Sequence, residues 1–263
     1  GLNEEILIGN NLLDMYAKCG SIANAQETFH KLPGRDVVSW TSLIHGCSEE
    51  ALCYLEEMEY ELICPNSFTY VCGLKACGSI DSSDRGKVLH DVIVKRGFEK
   101  EGLIGNALID MDCKCGLLIE AHAVFNRLLT QDMVSWTALI KGYVEHGHGE
   151  QAFDYLGKIQ SEGVLLDAVA IICTLKACGI TNTTSKGQET HAEITKRGLI
   201  ERNPHIGSSL IDMYSKFGFL ETAEQVFNTL PNCDVVPWNA LIAGFADYGC
   251  TEEALNYFLK MQC

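Results

Sequence analysis

One pattern of histidine and acidic residues in the sequence could carry out catalysis. His148-Gly149-Glu150 matches the H-x-E half of the zinc deaminase signature, in which zinc activates a water and the glutamate transfers protons. That chemistry also requires a P-C-x-x-C pair of zinc ligands, and the sequence contains none. The sequence equally lacks the phosphate-binding loop, the nucleophilic serine turn and the H-E-x-x-H zinc helix of other enzyme classes. We therefore expect that the chain is not an enzyme and that His148 lies in a polar turn between helices.

Cysteine and histidine residues could instead bind a metal ion. Cys113 and Cys115 are separated by one lysine, but no second pair of cysteines or histidines follows at the spacing of a zinc site. His90 and His191 occupy matching positions of two repeated segments, which favours a role in packing between repeats. We expect all four side chains to serve packing, with no metal ion and no cofactor.

Composition and charge narrow the class of protein. The chain has 263 residues, of which 47% are hydrophobic, and no apolar run approaches the length that a membrane-spanning helix needs. Its 13 cysteines lie within apolar helical patterns, so we expect reduced, mostly buried thiols in an intracellular compartment. Both ends look cut, so we expect a piece of a longer protein. The net charge of −15, taken alone, argues against a nucleic-acid partner.

All three tryptophans occur in one repeated phrase. DVVSWTSLI (36–44) returns as DMVSWTALI (132–140) and as DVVPWNALI (234–242), so Trp40, Trp136 and Trp238 are 96 and 102 residues apart. Between these copies, DMYAKCG (14–20) returns as DMDCKCG (110–116) and DMYSKFG (212–218), and LKACG (74–78) returns at 175–179. Three different units of 30 to 36 residues therefore alternate. Internal periods of this size are typical of a solenoid built from repeats.

Helical periodicity indicates that each unit is a pair of α-helices. Apolar residues spaced three, four and three apart follow the first DMYAKCG phrase, and the spacing recurs at 118–128 and 220–230. The first set is Ile22, Ala25, Phe29 and Leu32. The alanines of this helix face, which let a neighbouring helix approach closely, are Ala25, Ala121 and Ala223. We expect helices of about 10–17 residues and no sheet, with Pro33-Gly34 and Pro231-Asn232 ending two of the helices.

These phrases resemble pentatricopeptide repeat (PPR) proteins of the plant PLS class, in which P, L and S motifs alternate. The tryptophan phrase is similar to the P motif, LKACG to the L motif and DMYAKCG to the S motif, whereas tetratricopeptide repeats repeat a single unit. The resemblance implies an all-α, right-handed superhelical α-solenoid of PPR helix-turn-helix repeats. The implied repeats are S-type at 6–36, 102–132 and 204–234, P-type at 37–66, 133–167 and a truncated 235–263, and L-type at 67–101 and 168–203. The unit 37–66 is five residues shorter than 133–167, which predicts a shorter first helix or a tighter turn.

The resemblance also implies which residues contact RNA. In this family the fifth and last residues of a motif contact the edge of one base, and the second residue, usually aliphatic, packs against the base faces. The implied pairs are Asn10/Asp36, Thr41/Asn66, Val71/Glu101, Asn106/Asp132, Thr137/Asp167, Ile172/Asn203 and Ser208/Asp234, with Asn239 lacking its partner. Each tryptophan is the fourth residue of its motif. We expect it to wedge between the helices of its hairpin, and base stacking is the alternative.

The chemistry of these pairs suits base recognition. Asn with Asp offers donors and acceptors to a pyrimidine, whereas Thr or Ser is small enough to admit a purine. A following Asn or Asp can then distinguish adenine from guanine. Val71 and Ile172 carry no hydrogen-bonding group, so the L-type units are expected to read no base strongly. The family code implies the target 5′-UANUGNGY-3′, with the N-terminus of the chain towards the 5′ end.

Lysines four and eight positions beyond the fifth residue share its helix face. We expect this stripe to neutralise phosphates in a chain that is otherwise acidic. The stripe comprises Lys75, Lys141 and Lys176 at plus four, and Lys18, Lys114 and Lys216 at plus eight. The alternative is that the last three only form ion pairs with the aspartates four residues before them. The two L-type units hold 11 of the 20 basic residues, whereas residues 1–66 hold 11 acidic and 3 basic residues.

The sequence therefore predicts a protein that binds single-stranded RNA in a mitochondrion or chloroplast. It would be the specificity arm of an RNA editing or processing factor, whose catalytic part is absent or supplied by a partner. Protein cofactors of such a complex are further expected partners, and no membrane is expected. The alternative is a protein-interaction scaffold, such as a subunit of an organellar ribosome or polymerase complex, with little intrinsic RNA specificity. The charge of −15 and the shortened unit favour that alternative.

Overall fold

The computed structural model describes residues 2–47, 49–79, 83–161, 165–230 and 234–262. Within these ranges the regular structure is entirely helical, which confirms the all-α class. The helices are α1 (Leu2–Lys18), α2 (Ile22–Lys31), α3 (Val37–Gly46), α4 (Ala51–Tyr60), α5 (Ser67–Ser79), α6 (Ser83–Arg96), the 3-10 helix η1 (Phe98–Lys100), α7 (Gly102–Lys114), α8 (Leu118–Arg127), α9 (Met133–Glu145), α10 (Gly149–Ser161), α11 (Ala168–Thr181), α12 (Thr184–Lys196), α13 (Leu199–Arg202), α14 (Pro204–Lys216), α15 (Leu220–Thr229), α16 (Val235–Asp247) and α17 (Thr251–Met261). No helix in this part of the chain combines the length and apolarity needed to cross a bilayer.

The helices form antiparallel hairpins that stack within two compact units, residues 1–142 and 143–263. In the first unit, the first helices of successive hairpins lie side by side, α1 on α3, α3 on α5 and α5 on α7. In the second unit α11 packs on α14, and α14 packs on α16. Each hairpin buries its apolar faces against its neighbours, as expected for a repeat architecture. The two hairpins that contain the LKACG phrase carry an extra short segment, η1 or α13, which the periodicity did not predict.

The shortened unit 37–66 has lost length from both of its helices. Helices α3 and α4 each have 10 residues, whereas α9 and α10 each have 13. Ser48 lies outside the described residues. The guanidinium of Arg85, from the next hairpin, donates a hydrogen bond to the backbone carbonyl of Glu49. This bond ties the shortened turn to α6.

The second helices of the S-type hairpins end differently from the sequence prediction. Leu32, Leu128 and Leu230 do not continue the helix face, because each lies just after its helix with a ψ of 130–138°. Ile22 is exposed, whereas the alanine and phenylalanine of each set are buried. Helix α8 ends at the same place without a proline, so Pro33-Gly34 is not required for termination. Pro231-Asn232 lies outside the described residues.

The tryptophans join one hairpin to the next. Each packs edge-to-face against the phenylalanine of the preceding S-type second helix, with ring centroids 4.5–4.7 Å apart: Trp40 on Phe29, Trp136 on Phe125 and Trp238 on Phe227. Trp40 and Trp238 also approach a tyrosine of their own second helix, at 6.4 and 6.2 Å. The predicted packing role therefore holds. The sequence prediction named only the helices of one hairpin, however, and the closest contact is with the preceding one.

Candidate nucleic-acid interface

The last residue of nearly every predicted repeat caps the first helix of the next repeat. A side-chain oxygen of each accepts a hydrogen bond of 2.8–3.1 Å from a backbone N–H in the first helical turn: Asp36, Asn66, Asp132, Asp167, Asn203 and Asp234. Such a cap stabilises a helix by about 1 kcal/mol. The cap also determines which polar group of the capping side chain stays available to another partner. Aspartate keeps a second oxygen as an acceptor, whereas asparagine keeps its NH₂ group as a donor.

Two of the predicted pairs are in direct contact. The amide nitrogen of Asn10 donates to the carboxylate of Asp36 at 3.1 Å, and that of Asn106 donates to Asp132 at 3.2 Å. Burial opposes ionisation of Asp36, but hydrogen bonds from Ser39, Asn10 and Val38 outweigh it and hold the pKa of Asp36 below its usual range. The aspartate is therefore an anionic acceptor at neutral pH.

The amide oxygens of the same two asparagines are left without a partner. Asn10 is 93% buried, and no donor among the described residues reaches its Oδ1 atom or the buried Oδ1 atom of Asn106. An unsatisfied buried carbonyl costs about 1–3 kcal/mol, so native structures rarely keep one without a reason. Each of these oxygens is therefore an acceptor that the free protein leaves unsatisfied.

The pair Thr41 and Asn66 is connected through a third side chain. The hydroxyl of Thr69 lies 2.8 Å from the hydroxyl of Thr41 and donates to the Oδ1 atom of Asn66 at 2.9 Å. Because Oδ1 also accepts from the backbone N–H of Thr69, the amide is oriented with its NH₂ group away from the helix. This pair therefore presents a small hydroxyl and an amide donor.

The remaining predicted reading residues occupy the fifth and last positions of other repeats. Thr137 belongs to the first unit, and its hydroxyl donates to the backbone carbonyl of Met133. Asp167 belongs to the second unit, where it caps α11. In that unit the Ser208 hydroxyl donates to the backbone of its own helix, and Asn239 is exposed on α16.

The two hairpins that contain LKACG have an apolar residue at the fifth position. Val71 is buried and cannot form a side-chain hydrogen bond, and Ile172 is half-buried. Glu101 accepts a hydrogen bond from the Ser67 hydroxyl at 3.2 Å and makes no side-chain cap. These two hairpins therefore have no hydrogen-bonding side chain at the fifth position.

A row of exposed side chains, which the sequence prediction described only in general terms, lies three residues before the reading positions. Seven of the eight second residues are apolar and 46–62% exposed: Leu7, Val38, Phe68, Leu103, Val134, Val169 and Val236. The eighth, His205, is also exposed. Residues three apart share a helix face, so within each hairpin the second residue lies beside the reading residue. Exposed apolar side chains in seven of the eight repeats mark a candidate binding surface.

These side chains line one groove in each unit. The first groove encloses about 880 Å³ and brings together Leu7, Asn10, Asp36, Val38, Thr41, Asn66, Phe68 and Lys18. The second groove encloses about 850 Å³ and includes Ile172, Lys176, His205, Ser208, Lys216, Val236 and Asn239. Each groove therefore combines reading residues, second residues and at least one lysine of the predicted stripe.

The lysine stripe fits both of its interpretations. Three of its members form ion pairs of 2.6–2.8 Å with the aspartate four residues before: Lys18 with Asp14, Lys114 with Asp110 and Lys216 with Asp212. These pairs are half-exposed, so each contributes little to stability, and Lys18 and Lys216 still line the grooves. Lys75 and Lys176 are exposed on their helices, and Lys141 is half-buried.

The glycine of each LKACG phrase makes room for a lysine of this stripe. A Cβ atom at Gly78 would lie 3.1 Å from the Cδ atom of Lys114, and one at Gly179 would lie 2.9 Å from that of Lys216. The aliphatic stem of each lysine therefore crosses the first helix of the preceding hairpin at this glycine. His45 occupies the plus-four position of α3, where α9 has Lys141, and the predicted stripe did not include it.

The other candidate groups, apart from His148, contact neighbouring side chains. His90 bonds to Asp112, and His191 bonds to the hydroxyl of Tyr214. Cys113 is buried, and a Cβ atom at Gly142 would lie 2.2 Å from its sulfur. His148 is exposed directly before α10. Among the described residues, no three histidine, cysteine or acidic side chains are grouped closely enough to hold a metal ion.

Sequence comparison finds the same repeats in plant proteins. The family model described as PPR repeat matches residues 106–133, 134–164, 208–235 and 236–263. A chloroplastic pentatricopeptide repeat-containing protein of Arabidopsis thaliana is 36% identical over 99% of this chain and 43% of its own length. A mitochondrial one from the same plant is 35% identical over 99% of this chain and 26% of its own length. The chain thus spans less than half the length of these relatives.

Solved structures share the fold. The crystal structure of the pentatricopeptide repeat protein PPR10 from maize matches 96% of this chain and 38% of its own, with a TM-score of 0.73 and 16% identity. PPR10 in complex with an 18-nt psaJ RNA element matches 96% of this chain and 39% of its own, with a TM-score of 0.74 and 19% identity. At these identities the likeness shows the fold alone, an α-solenoid of helix-turn-helix repeats.

Proposed function

Because the chain belongs to the pentatricopeptide repeat family, we propose that it binds single-stranded RNA with one base per helical hairpin. The proposed target is 5′-UANUGNGY-3′. The observation that carries the proposal is the pair of buried, unpartnered amide oxygens of Asn10 and Asn106, each beside a capping aspartate. PPR10, which shares the fold, has been crystallised with RNA.

At Asn10 and Asn106 the free oxygen suits a uracil. The uracil edge carries one N–H donor flanked by carbonyl acceptors, and the orphaned Oδ1 atom can accept from that donor. The amide nitrogen already donates to the aspartate, which fixes the orientation of the side chain. Uracil binding would thus satisfy an acceptor that the free protein leaves buried.

In the hairpins with Thr or Ser at the fifth position, the capping residue would distinguish adenine from guanine. Asn66 presents an amide donor, which suits the N1 acceptor of adenine. Asp167 caps through one oxygen and keeps the other as an acceptor, which suits the N1–H donor of guanine. Asp234 does the same. A short hydroxyl side chain at the fifth position leaves room for the larger base.

The lysine stripe would bind the phosphates of the RNA. Lys18 and Lys216 line the two grooves beside the reading residues, and Lys176 lines the second groove. A stripe of cations beside exposed apolar side chains is the usual combination in proteins that bind single strands. On binding RNA, Lys18 and Lys216 would exchange their aspartate partners for phosphates.

We place this activity in a mitochondrion or chloroplast, as the specificity arm of an RNA editing or processing factor. Relatives whose names carry each of these organelles support the location. Chemistry on the RNA would come from another part of the protein or from a partner. The alternative, a protein scaffold, is favoured by the exposed glutamates of the shortened unit, Glu56, Glu57, Glu59 and Glu61.

Fluorescence anisotropy with a labelled UANUGNGY strand tests the proposal. We expect binding that weakens from about 50 mM to about 150 mM salt and that falls when nucleotides 1 and 4 are changed to purines. A strand of the same composition in shuffled order is the control. Equal affinity for both strands, or no affinity at the lower salt, would favour the scaffold.

A further inference from the structure

The two hairpins that contain LKACG differ at one buried joint. The phrase begins at residue 74 and again at residue 175, so matched residues of the two hairpins are 101 positions apart. In the first unit Tyr70 is 1% exposed, and its hydroxyl accepts a hydrogen bond of 2.6 Å from the guanidinium of Arg96. The same guanidinium donates to the carboxylate of Glu59 at 2.7 Å. One arginine therefore holds a buried aromatic ring and a carboxylate.

The second unit keeps the arginine and lacks both of its partners. Arg197 corresponds to Arg96, but Ile171 stands in place of the tyrosine and Gln160 in place of the glutamate. Arg197 is half-buried, and its guanidinium makes no hydrogen bond or ion pair with any residue that the structure describes. Because isoleucine is much smaller than tyrosine, the space of the ring is not refilled by the residue that replaces it.

A pocket of about 400 Å³ lies at this second joint. Its walls include Gln160, Ile171 and Arg197, which are the three residues that correspond to the filled joint of the first unit. The volume falls within the range that small ligands occupy in proteins. Within the described part of the chain, the pocket shares no wall residue with the groove that contains Ser208 and Asn239, so it is separate from the candidate reading positions.

The charges around the pocket favour a negative group beside Arg197. Lys186 is a second cation in the wall, and its ion pair with Glu189 is loose at 3.8 Å. The carboxylates of Glu189 and Glu193 also line the pocket, but both residues are exposed on α12, where water screens their charge. A half-buried guanidinium binds a carboxylate by charge-assisted hydrogen bonds, which are stronger than neutral ones.

We propose that this pocket binds a small molecule with one aromatic ring and a carboxylate. The ring occupies the space that the side chain of Tyr70 fills in the first unit. The carboxylate accepts hydrogen bonds from the guanidinium of Arg197, as Glu59 does from Arg96 in the filled joint. A ligand of this class therefore restores both contacts that the second unit has lost. The proposal goes beyond RNA binding and does not depend on it.

Benzoate is the simplest probe of the pocket. In ligand-observed NMR titrations of the parent chain at neutral pH, we expect a dissociation constant of about 1 mM or lower. para-Cresol has the ring without the charge, and acetate has the charge without the ring. Each should bind at least about tenfold more weakly than benzoate, because it restores only one contact. Benzoate binding that does not saturate, or equal binding of the three compounds, would overturn the proposal.

Three variants show where benzoate binds. Ile171→Tyr supplies the missing ring from the chain itself, so it should abolish benzoate binding. Arg197→Gln removes the charge and should weaken benzoate binding at least about tenfold. Arg96→Gln, the same substitution in the filled joint of the first unit, is the control and should leave benzoate binding unchanged.

Each variant can also contradict the assignment. Benzoate binding that survives Ile171→Tyr would place the probe elsewhere, and an equal loss in Arg197→Gln and Arg96→Gln would show a general effect on the fold. Circular dichroism spectra and melting curves of the three variants check that the helices remain intact. A chain that binds benzoate but no RNA strand would keep this proposal and remove the one made above.

Discussion

The imidazole Nδ1 atom of His90 lies 2.9 Å from a carboxylate oxygen of Asp112, whose side chain is fully buried. At the matching position of the second unit, His191 meets the hydroxyl of Tyr214 at 2.8 Å. The middle S-type repeat reads DMD where the others read DMY, so a charged partner has replaced a neutral one in the same kind of joint.

This joint should make the stability of the first unit depend on pH. The hydrogen bond to Asp112 raises the pKa of His90 above its usual value, burial opposes the rise, and the carboxylates of Asp112, Asp91 and Glu120 add to it. Burial also raises the pKa of Asp112. A group whose folded pKa is raised stabilises the fold below its unfolded pKa and loses that contribution as pH rises through the folded value. We expect the melting temperature to fall as the pH rises above about 6.5, the usual pKa of histidine.

Two variants test the assignment. Asp112→Asn keeps a hydrogen-bond acceptor for His90 but removes the charge, so most of this pH dependence should disappear. Tyr214→Phe is the matched control, because burial lowers the pKa of His191 and leaves it neutral in this range. It should lower the melting temperature without changing its slope against pH. An unchanged slope in Asp112→Asn would rule out the pair as the cause.

The purine preference at nucleotide 2 should follow the capping residue. Asn66→Asp keeps the cap of α5 but replaces the free amide donor with an acceptor, so the preferred base should shift from adenine towards guanine. The expected change is about 1 kcal/mol, the order of one hydrogen bond. Asp167→Asn should shift nucleotide 5 in the opposite direction. Anisotropy with all four bases at each position measures both, and a loss of affinity without a change of preference would contradict the assignment.

The sequence predicted much of this architecture because its signals are local. Helical spacing, the alanines at 25, 121 and 223, and the repeated phrases identify the hairpins without any tertiary information, and all three alanines are fully buried. The prediction that Leu32, Leu128 and Leu230 lie on the helix face was wrong. A contact outside the helix determines where each of these leucines lies. A Cβ atom at Gly105 would lie 2.3 Å from a methyl of Leu128, so the leucine leaves the helix to pack over a glycine of the partner helix.

The sequence predicted the positions of the candidate site residues but not their hydrogen bonds. The resemblance to known repeats named Asp36 and Asn66 as readers, yet Asp and Asn are also the preferred N-cap residues. Only the structure shows one oxygen used by the cap and the other group left over. The sequence pattern did not predict that Thr69 bridges Thr41 and Asn66, because this contact depends on how α3 packs against α5.

Phosphate contacts should be separable from base contacts. Lys176→Ala removes an exposed charge from the second groove. We expect weaker binding of all sequences to a similar extent, and a slope of log affinity against log salt that falls by about one. Titrations at several salt concentrations measure the slope. A change confined to one nucleotide would instead make Lys176 a reader.

Packing at the hairpin joints should tolerate no added volume. Ala121 is fully buried in α8, so Ala121→Leu should destabilise the chain by about 1–3 kcal/mol through overpacking. Ala123→Leu is the control, because Ala123 lies exposed on the same helix and receives the same substitution. Denaturant unfolding compares the two. Equal stabilities would contradict the crossing at Ala121.

The buried amide of Asn10 should matter to RNA far more than to the fold. Asn10→Ala removes an orphaned acceptor together with one hydrogen bond to Asp36, which keeps its cap on α3. Because the lost hydrogen bond and the relieved desolvation oppose each other, the free energy of unfolding should change by less than about 1 kcal/mol. The uracil preference at nucleotide 1 should nevertheless disappear. Asn106→Ala should do the same at nucleotide 4 and leave nucleotide 1 unaffected, so each variant is the control for the other. A large loss of stability with unchanged base preference would make both asparagines structural and remove the observation on which RNA reading rests.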